Sequence, residues 1–184
     1  MEEVRPVSEW DFYLPVLVVL FGNFLFFFWC QWKKDNSYID VMWGITFITP
    51  LVALLIKRFE DGGPSPDLRS YAVTAIVSIW ALRLAVHIAV RHRGEEDFRY
   101  QDFRREWTEI GGYWGYLWRA FLIIFMMQGV FSIIVNSPAL YVVIYSNSGD
   151  APLSSLDIAG IAIWFIGFSM EWLADDQLRR HLAD

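Results

Sequence analysis

Arg83 and His87 stand inside an apolar run that reads as a membrane helix, where a bilayer interior should exclude them. In "WALRLAVHIAVRHRGEEDFRY", Trp80, Arg83, His87 and Arg91 fall within roughly 80° of one another on a helix of 3.6 residues per turn, and Arg93 follows at the stripe's end. An ionisable residue near mid-bilayer costs about 2.5–3.5 kcal/mol on insertion scales, so such a stripe needs a partner or a task. Acids and an amide stand in other apolar segments: Asp40 in "NSYIDVMWG", Gln128 in "FMMQGVFS", and Glu171 with Asp175, one helical turn apart, in "MEWLADDQLRR". Guanidinium groups suit phosphate or pyrophosphate, and acids beside them suit ribose hydroxyls or a ring amide. That combination serves a dinucleotide, although no glycine-rich loop of the Rossmann kind is present. The competing reading is mutual neutralisation, in which the charges pair to hold helices in register and Gln128 makes an interhelical hydrogen bond. Taken alone, the residues lead to a polar ligand site in the cytoplasmic half of a membrane protein.

The elements that must position these groups are legible in the hydropathy. The chain is 55% hydrophobic and 18% aromatic over 184 residues, more apolar than a soluble domain of this size. Five segments, 12–30, 38–56, 70–90, 116–135 and 153–173, approach or exceed the roughly 20 residues that cross a bilayer core. The expected fold is an all-α, polytopic bundle forming a single domain over 1–184, with the lipid bilayer as its surroundings. Short polar connections, "QWKKDNS", "EDGGPSPDLR" and "SNSGDAP", punctuate the helices. The stretch 91–112 is too polar to span and reads as a cytoplasmic loop carrying a short surface helix. The stretch 136–146 is too short to cross and too apolar for an ordinary loop; it either extends the fourth helix past a proline bend or lies at the interface.

Lys33, Lys34, Arg91, Arg93, Arg99, Arg104, Arg105, Arg179 and Arg180 fall on one side, and Arg5, Lys57, Arg58 and Arg69 on the other. The richer side is expected to be cytoplasmic, with the C-terminus there and the N-terminus opposite. The acidic start "MEEVRPVSEWDF" lacks a basic n-region, so the first segment reads as a retained anchor. The lone Cys30 excludes an intrachain disulfide and a multi-cysteine metal site. The net charge of −6 is split between two faces, and no nucleic-acid partner is expected.

Four stretches in order along the chain carry a resemblance. "NSYIDVMWG" resembles a Ser-x-x-Asp-x-x-Trp-Gly motif, and "WALRLAVHIAVRHRGEEDFRY" a Trp-x-x-Arg-Leu…Gly-Glu-Asp-x-Arg-Tyr signature. "FMMQGVFSIIVNSP" is similar to a Gln-Gly helix, and "MEWLADDQLRR" to a Glu-x-x-Ala-Asp-x-Gln-Leu motif. Together they resemble a membrane family related to the steroid 5-alpha-reductases, in a branch often described only as a domain of unknown function. The resemblance implies an NADPH-dependent oxidoreductase that reduces an enone-type double bond in a steroid- or lipid-like substrate, in the endoplasmic reticulum or another internal membrane. It implies cofactor contacts from Arg83, His87, Arg91 and Arg93, and a covering loop containing Asp97, Arg99 and Tyr100. Glu171 and Asp175 would hold the nucleotide, with Gln128 on the cofactor side. Asp40 is the nearest candidate, by helix, for the acid that polarises the enone carbonyl. The family's Arg-His-Pro-x-Tyr type segment has no match before Asp184, which implies a fragment or a shortened relative. The alternative is a non-catalytic membrane scaffold or subunit built on the same fold, with other membrane proteins as partners.

Overall fold

A computed structural model describes residues 7–61, 66–92, 94–145 and 152–181. The described chain is all-helical: α1 Trp10–Lys33, α2 Tyr38–Glu60, α3 Leu68–Arg91, α4 Phe98–Arg119, a π-helical segment Ala120–Met126, α5 Met127–Tyr145 and α6 Ser155–His181. It divides into two compact units, 1–149 and 150–184. The expected bundle class holds, and five stretches among the described residues are long and apolar enough to cross a membrane.

The first unit buries an apolar core that includes Val19, Ile39, Leu51 and Phe125, yet it also buries polar side chains and turns many large apolar ones outward. Phe21, Phe28, Val90, Ile134 and Val135 are exposed, while Asp11, Asn23, Asn36, Ser132 and Asn136 are buried. Lipid is as apolar as leucine, so helices in it associate through close packing and interhelical hydrogen bonds, not through hydrophobic exclusion. Asn136 Nδ2 accordingly donates to the Phe47 carbonyl of α2 at 3.0 Å. The integral-membrane reading therefore rests on composition and on burial.

Helix α2 is the hub, packed against α1, α3 and α5. Gly44 allows its close approach to α3: a Cβ there would lie 2.4 Å from the Ala81 carbonyl oxygen and 3.0 Å from Ala85 Cβ. One end of the bundle is closed by Lys57, which bonds Asp11 at 3.1 Å and Asp61 at 2.7 Å. At that end the fully buried Arg58 donates to the Val143 carbonyl at 2.9 Å. That contact bears on the 136–146 stretch, described as far as Tyr145. It extends the fourth apolar segment through Pro138, and the last described turn caps Arg58.

The expected cytoplasmic loop differs more. Past residue 97 the chain is helical for 22 residues as α4, and helical structure then runs on to Tyr145. Asp97 starts α4 by accepting from the Arg99 backbone N–H at 3.0 Å. Gly112, at φ 63°, breaks the run. A straight helix of 48 residues would be roughly 72 Å long, far beyond a bilayer core of about 30 Å. The break lets the polar first half of α4 leave the direction of the apolar helix that follows.

Candidate functional site

The end of the bundle opposite Arg58 gathers the polar groups. There the α1–α2 turn meets the end of α3 and the start of α4. Asp35, Asn36 and Ser37 of the turn are buried. The Asn36 backbone N–H donates to Glu96 Oε1 at 2.8 Å, and its side-chain amide donates to the Tyr116 hydroxyl at 2.7 Å. Arg104 grips Glu96 through two bonds, Nε at 3.0 Å and Nη2 at 2.8 Å. Such bidentate, charge-assisted pairs are the strong ones, and this one fastens α4 to the turn.

Beside this clasp lies a cavity of about 680 Å³. Its polar lining comes from Ser37 and Asp40, from Arg91 and His92, from Glu95, Asp97 and Arg99, and from Gln128; Trp43, Ile88 and Phe131 supply an apolar side. Asp40 is the organising group. Oδ1 accepts from the Tyr100 hydroxyl at 2.6 Å and faces Gln128 Nε2 at 3.4 Å, and Oδ2 accepts from Arg99 Nη2 at 2.9 Å. Arg99 also binds Asp97 through Nε at 2.9 Å, so one guanidinium bridges two carboxylates. That hydrogen bond from Arg99 holds the Asp97 carboxyl below the usual carboxylate range.

His92, Asp35 and Ser37 form a second cluster on the cavity wall. His92 Nε2 lies 2.9 Å from Asp35 Oδ2 and 3.1 Å from Ser37 Oγ, while Nδ1 accepts from the Gly94 backbone N–H at 3.1 Å. An acceptor at Nδ1 assigns the proton of a neutral ring to Nε2, which donates to Asp35. The Ser37 hydroxyl donates to Asp35 Oδ1 in a short bond and accepts from the Asp97 backbone N–H at 3.3 Å. A hydrolytic triad uses opposite ring nitrogens for its serine and its carboxylate. Here one nitrogen meets both, and the serine proton already points at a carboxylate, so the cluster is built to hold the turn in place.

Of the residues named from the sequence, Asp40, Arg91, Asp97, Arg99 and Gln128 line this cavity, and Tyr100 reaches it through its bond to Asp40. Arg83 and His87 are partly buried on α3, two turns and one turn before Arg91, and do not belong to the lining. Arg93 lies outside the described residues. Glu171 and Asp175 are partly buried on α6, in the second unit. Sequence reasoning passed over Ser37, His92 and Glu95, together with Asp35 and Asn36 behind them. "KKDNS" reads as a solvated connection, and only its Asp-Asn-Ser run of side chains that bond nearby backbone hints otherwise.

The spacing of two motifs now has a physical meaning. In "NSYIDVMWG", Ser37, Asp40 and Trp43 line the cavity, while Gly44 makes the α3 contact. In "MQG", Gln128 faces the cavity and Gly129 faces α1, where a Cβ would lie 2.9 Å from Leu20 Cδ2.

No curated protein and no solved structure matches the chain. A family model does match, over residues 26–184, which takes in every cavity residue. The chain therefore belongs to the family described as "Protein of unknown function (DUF1295)".

Proposed function

We propose that the protein is a membrane-embedded reductase whose cavity takes the nicotinamide end of NADPH together with a lipid-soluble, steroid- or lipid-like substrate bearing an enone-type double bond. The observation that carries this reading is the convergence of Asp40, Tyr100 and Gln128, from three helices, in one cavity with an apolar side. The cavity's volume lies within the range of about 300–1,000 Å³ of pockets that take small molecules and cofactors.

The residues fit that cofactor's nicotinamide–ribose end. Gln128 Oε1 is buried and has no donor among the described residues, so an amide N–H entering the cavity would satisfy it. Asp97 and Glu95 offer acceptors for ribose hydroxyls, and the exposed Arg91 offers a cation for phosphate at the rim. The chemistry supplied by the bound cofactor is hydride donation to an alkene conjugated to a carbonyl.

The chain's own part is to hold a proton against that carbonyl oxygen. Asp40, accepting from three donors, is suited to orienting groups. Tyr100, only 5% exposed, carries the hydroxyl that can turn to an incoming oxygen, and Arg99 pairs with Asp40 behind it. The proton-donating role thus falls to Tyr100, and Asp40 positions it. The apolar side, Trp43, Ile88 and Phe131, holds the substrate and excludes water. By the excess of Lys and Arg, this end of the bundle faces the cytoplasm, with the N-terminus opposite, in the endoplasmic reticulum or another internal membrane.

The test is NADPH-dependent reduction of lipid-soluble enones by the purified protein in nanodiscs. Tyr100→Phe is expected to keep NADPH affinity while turnover falls roughly 10²–10⁴-fold, the size of a general-acid contribution. A wild-type protein that neither binds NADPH nor reduces any enone would sink the proposal. One observation favours the alternative of a non-catalytic scaffold: Arg99 and Asp40 already satisfy each other within the chain. On that reading Tyr100→Phe lowers stability and changes nothing else.

A further inference from the structure

Asn23 is completely buried in the middle of α1, the one carboxamide between Asp11 and Gln31 in a run of Val, Leu and Phe. Its Nδ2 donates to the Phe125 carbonyl at 2.9 Å, while its Oδ1 is buried without a donor among the described residues. An apolar residue of the same size would avoid that orphaned acceptor, so the amide's reach to Phe125 needs a reason. Phe125 lies in the π-helical segment Ala120–Met126, at whose end the Met127 N–H bonds the Leu122 carbonyl five residues back. Such a segment holds one residue more than an α-helix of the same rise and occurs frequently at functional sites.

The segment joins two anchored ends. Upstream, the Tyr116 hydroxyl is tied to Asn36 and Gln31. Downstream, Gln128 faces Asp40 and Asn136 bonds the Phe47 carbonyl. Gly129, one turn after Phe125 on the same face, lies against Asn23 itself, where a Cβ would sit 3.0 Å from Nδ2. Contact of α1 with Phe125 and Gly129 therefore sets the rotation of α5 about its axis. Gln128, next in sequence to Gly129 and about 100° away on the helix, is aimed by that rotation.

We propose that Asn23 is a positioning residue: by holding the Phe125 carbonyl in the π segment, it fixes the helical phase that turns Gln128 into the cavity. Relaxation of Ala120–Met126 to an α-helix would advance everything downstream by about 100°. Gln128 would leave the cavity and Met127 would take its place. The inference concerns the cavity already described, whichever ligand that cavity accepts.

The test is thiol labelling in nanodiscs with a small, charged methanethiosulfonate, on a Cys30→Ala background. Gln128→Cys is expected to label and Met127→Cys to resist. Adding Asn23→Leu is expected to reverse the two. Deleting Ile123 removes the extra residue, so Asn23→Leu combined with that deletion is expected to restore labelling at position 128. If Asn23→Leu alone fails to fold, recovery of both folding and the original labelling in the combined variant supports the proposal. An unchanged labelling pattern in Asn23→Leu, or a combined variant that regains neither folding nor labelling, overturns it. No nucleotide enters the experiment, so its failure leaves the reductase reading standing, and failure of NADPH binding leaves this one standing.

Discussion

At the scale of single residues, Asp97 does two jobs with one carboxylate. It caps α4 through the Arg99 N–H and pairs with the Arg99 side chain. Its folded pKa lies below its unfolded value, so its contribution to stability is complete above the ordinary aspartate pKa of about 3.9. The contribution is lost as pH falls through the lowered folded value. Asp97→Asn, which keeps a capping oxygen but not the charge, should lose that contribution at neutral pH and, with it, this component of acid sensitivity. Asp97→Ala should cost about 0.5–2 kcal/mol at neutral pH through loss of the cap. Thermal unfolding in nanodiscs at pH 7 and below pH 4 separates these outcomes. An Asp97→Asn protein with the wild-type acid profile would show that the pairing is idle.

At the scale of elements, the contact between α2 and α3 carries the site, because Asp40 lies one turn before Gly44. Gly44→Ala forces a methyl against the Ala81 carbonyl, and overpacking of this kind costs about 1–3 kcal/mol. A lowered unfolding temperature together with loss of the cavity's ligand is the expected result; an unchanged midpoint would mean the helices part freely. The helices themselves were legible in the sequence because apolar runs of about 20 residues match the thickness of a bilayer core. Asp40, Gln128 and the arginines were legible because charge and polarity are costly where lipid surrounds them. The buried turn Asp35–Asn36–Ser37 was not, since the same residues suit a solvated connection and only tertiary contact with Glu96 and His92 distinguishes the two. The stretch that forms α4 was read as a loop with only a short surface helix for a related reason. Its polar composition forbids spanning, but its stability comes from a cap and from pairs such as Arg104 with Glu96, which hydropathy does not register. The π segment leaves no mark on the apolar pattern at all.

At the scale of the molecule, the first unit is polar at both ends, closed by Lys57 and Arg58 at one and opened by the cavity at the other. The proposed topology, drawn from the Lys and Arg distribution, puts the cavity end on the cytoplasmic side. Cysteines placed at exposed Glu9 and Glu109, labelled from either side of sealed vesicles, should therefore report opposite sides. Labelling of both from one side would remove the proposed topology. The most direct measurement of the reductase reading is a calorimetric titration of NADPH into the purified protein in nanodiscs, beside Arg91→Gln and Gln128→Leu. The expected result is saturable binding in the wild type, weakened roughly tenfold or more by loss of the charge-assisted contact from Arg91 and weakened also by Gln128→Leu. Absence of binding in the wild type, or binding that neither substitution alters, would contradict the assignment of this cavity to a nicotinamide cofactor.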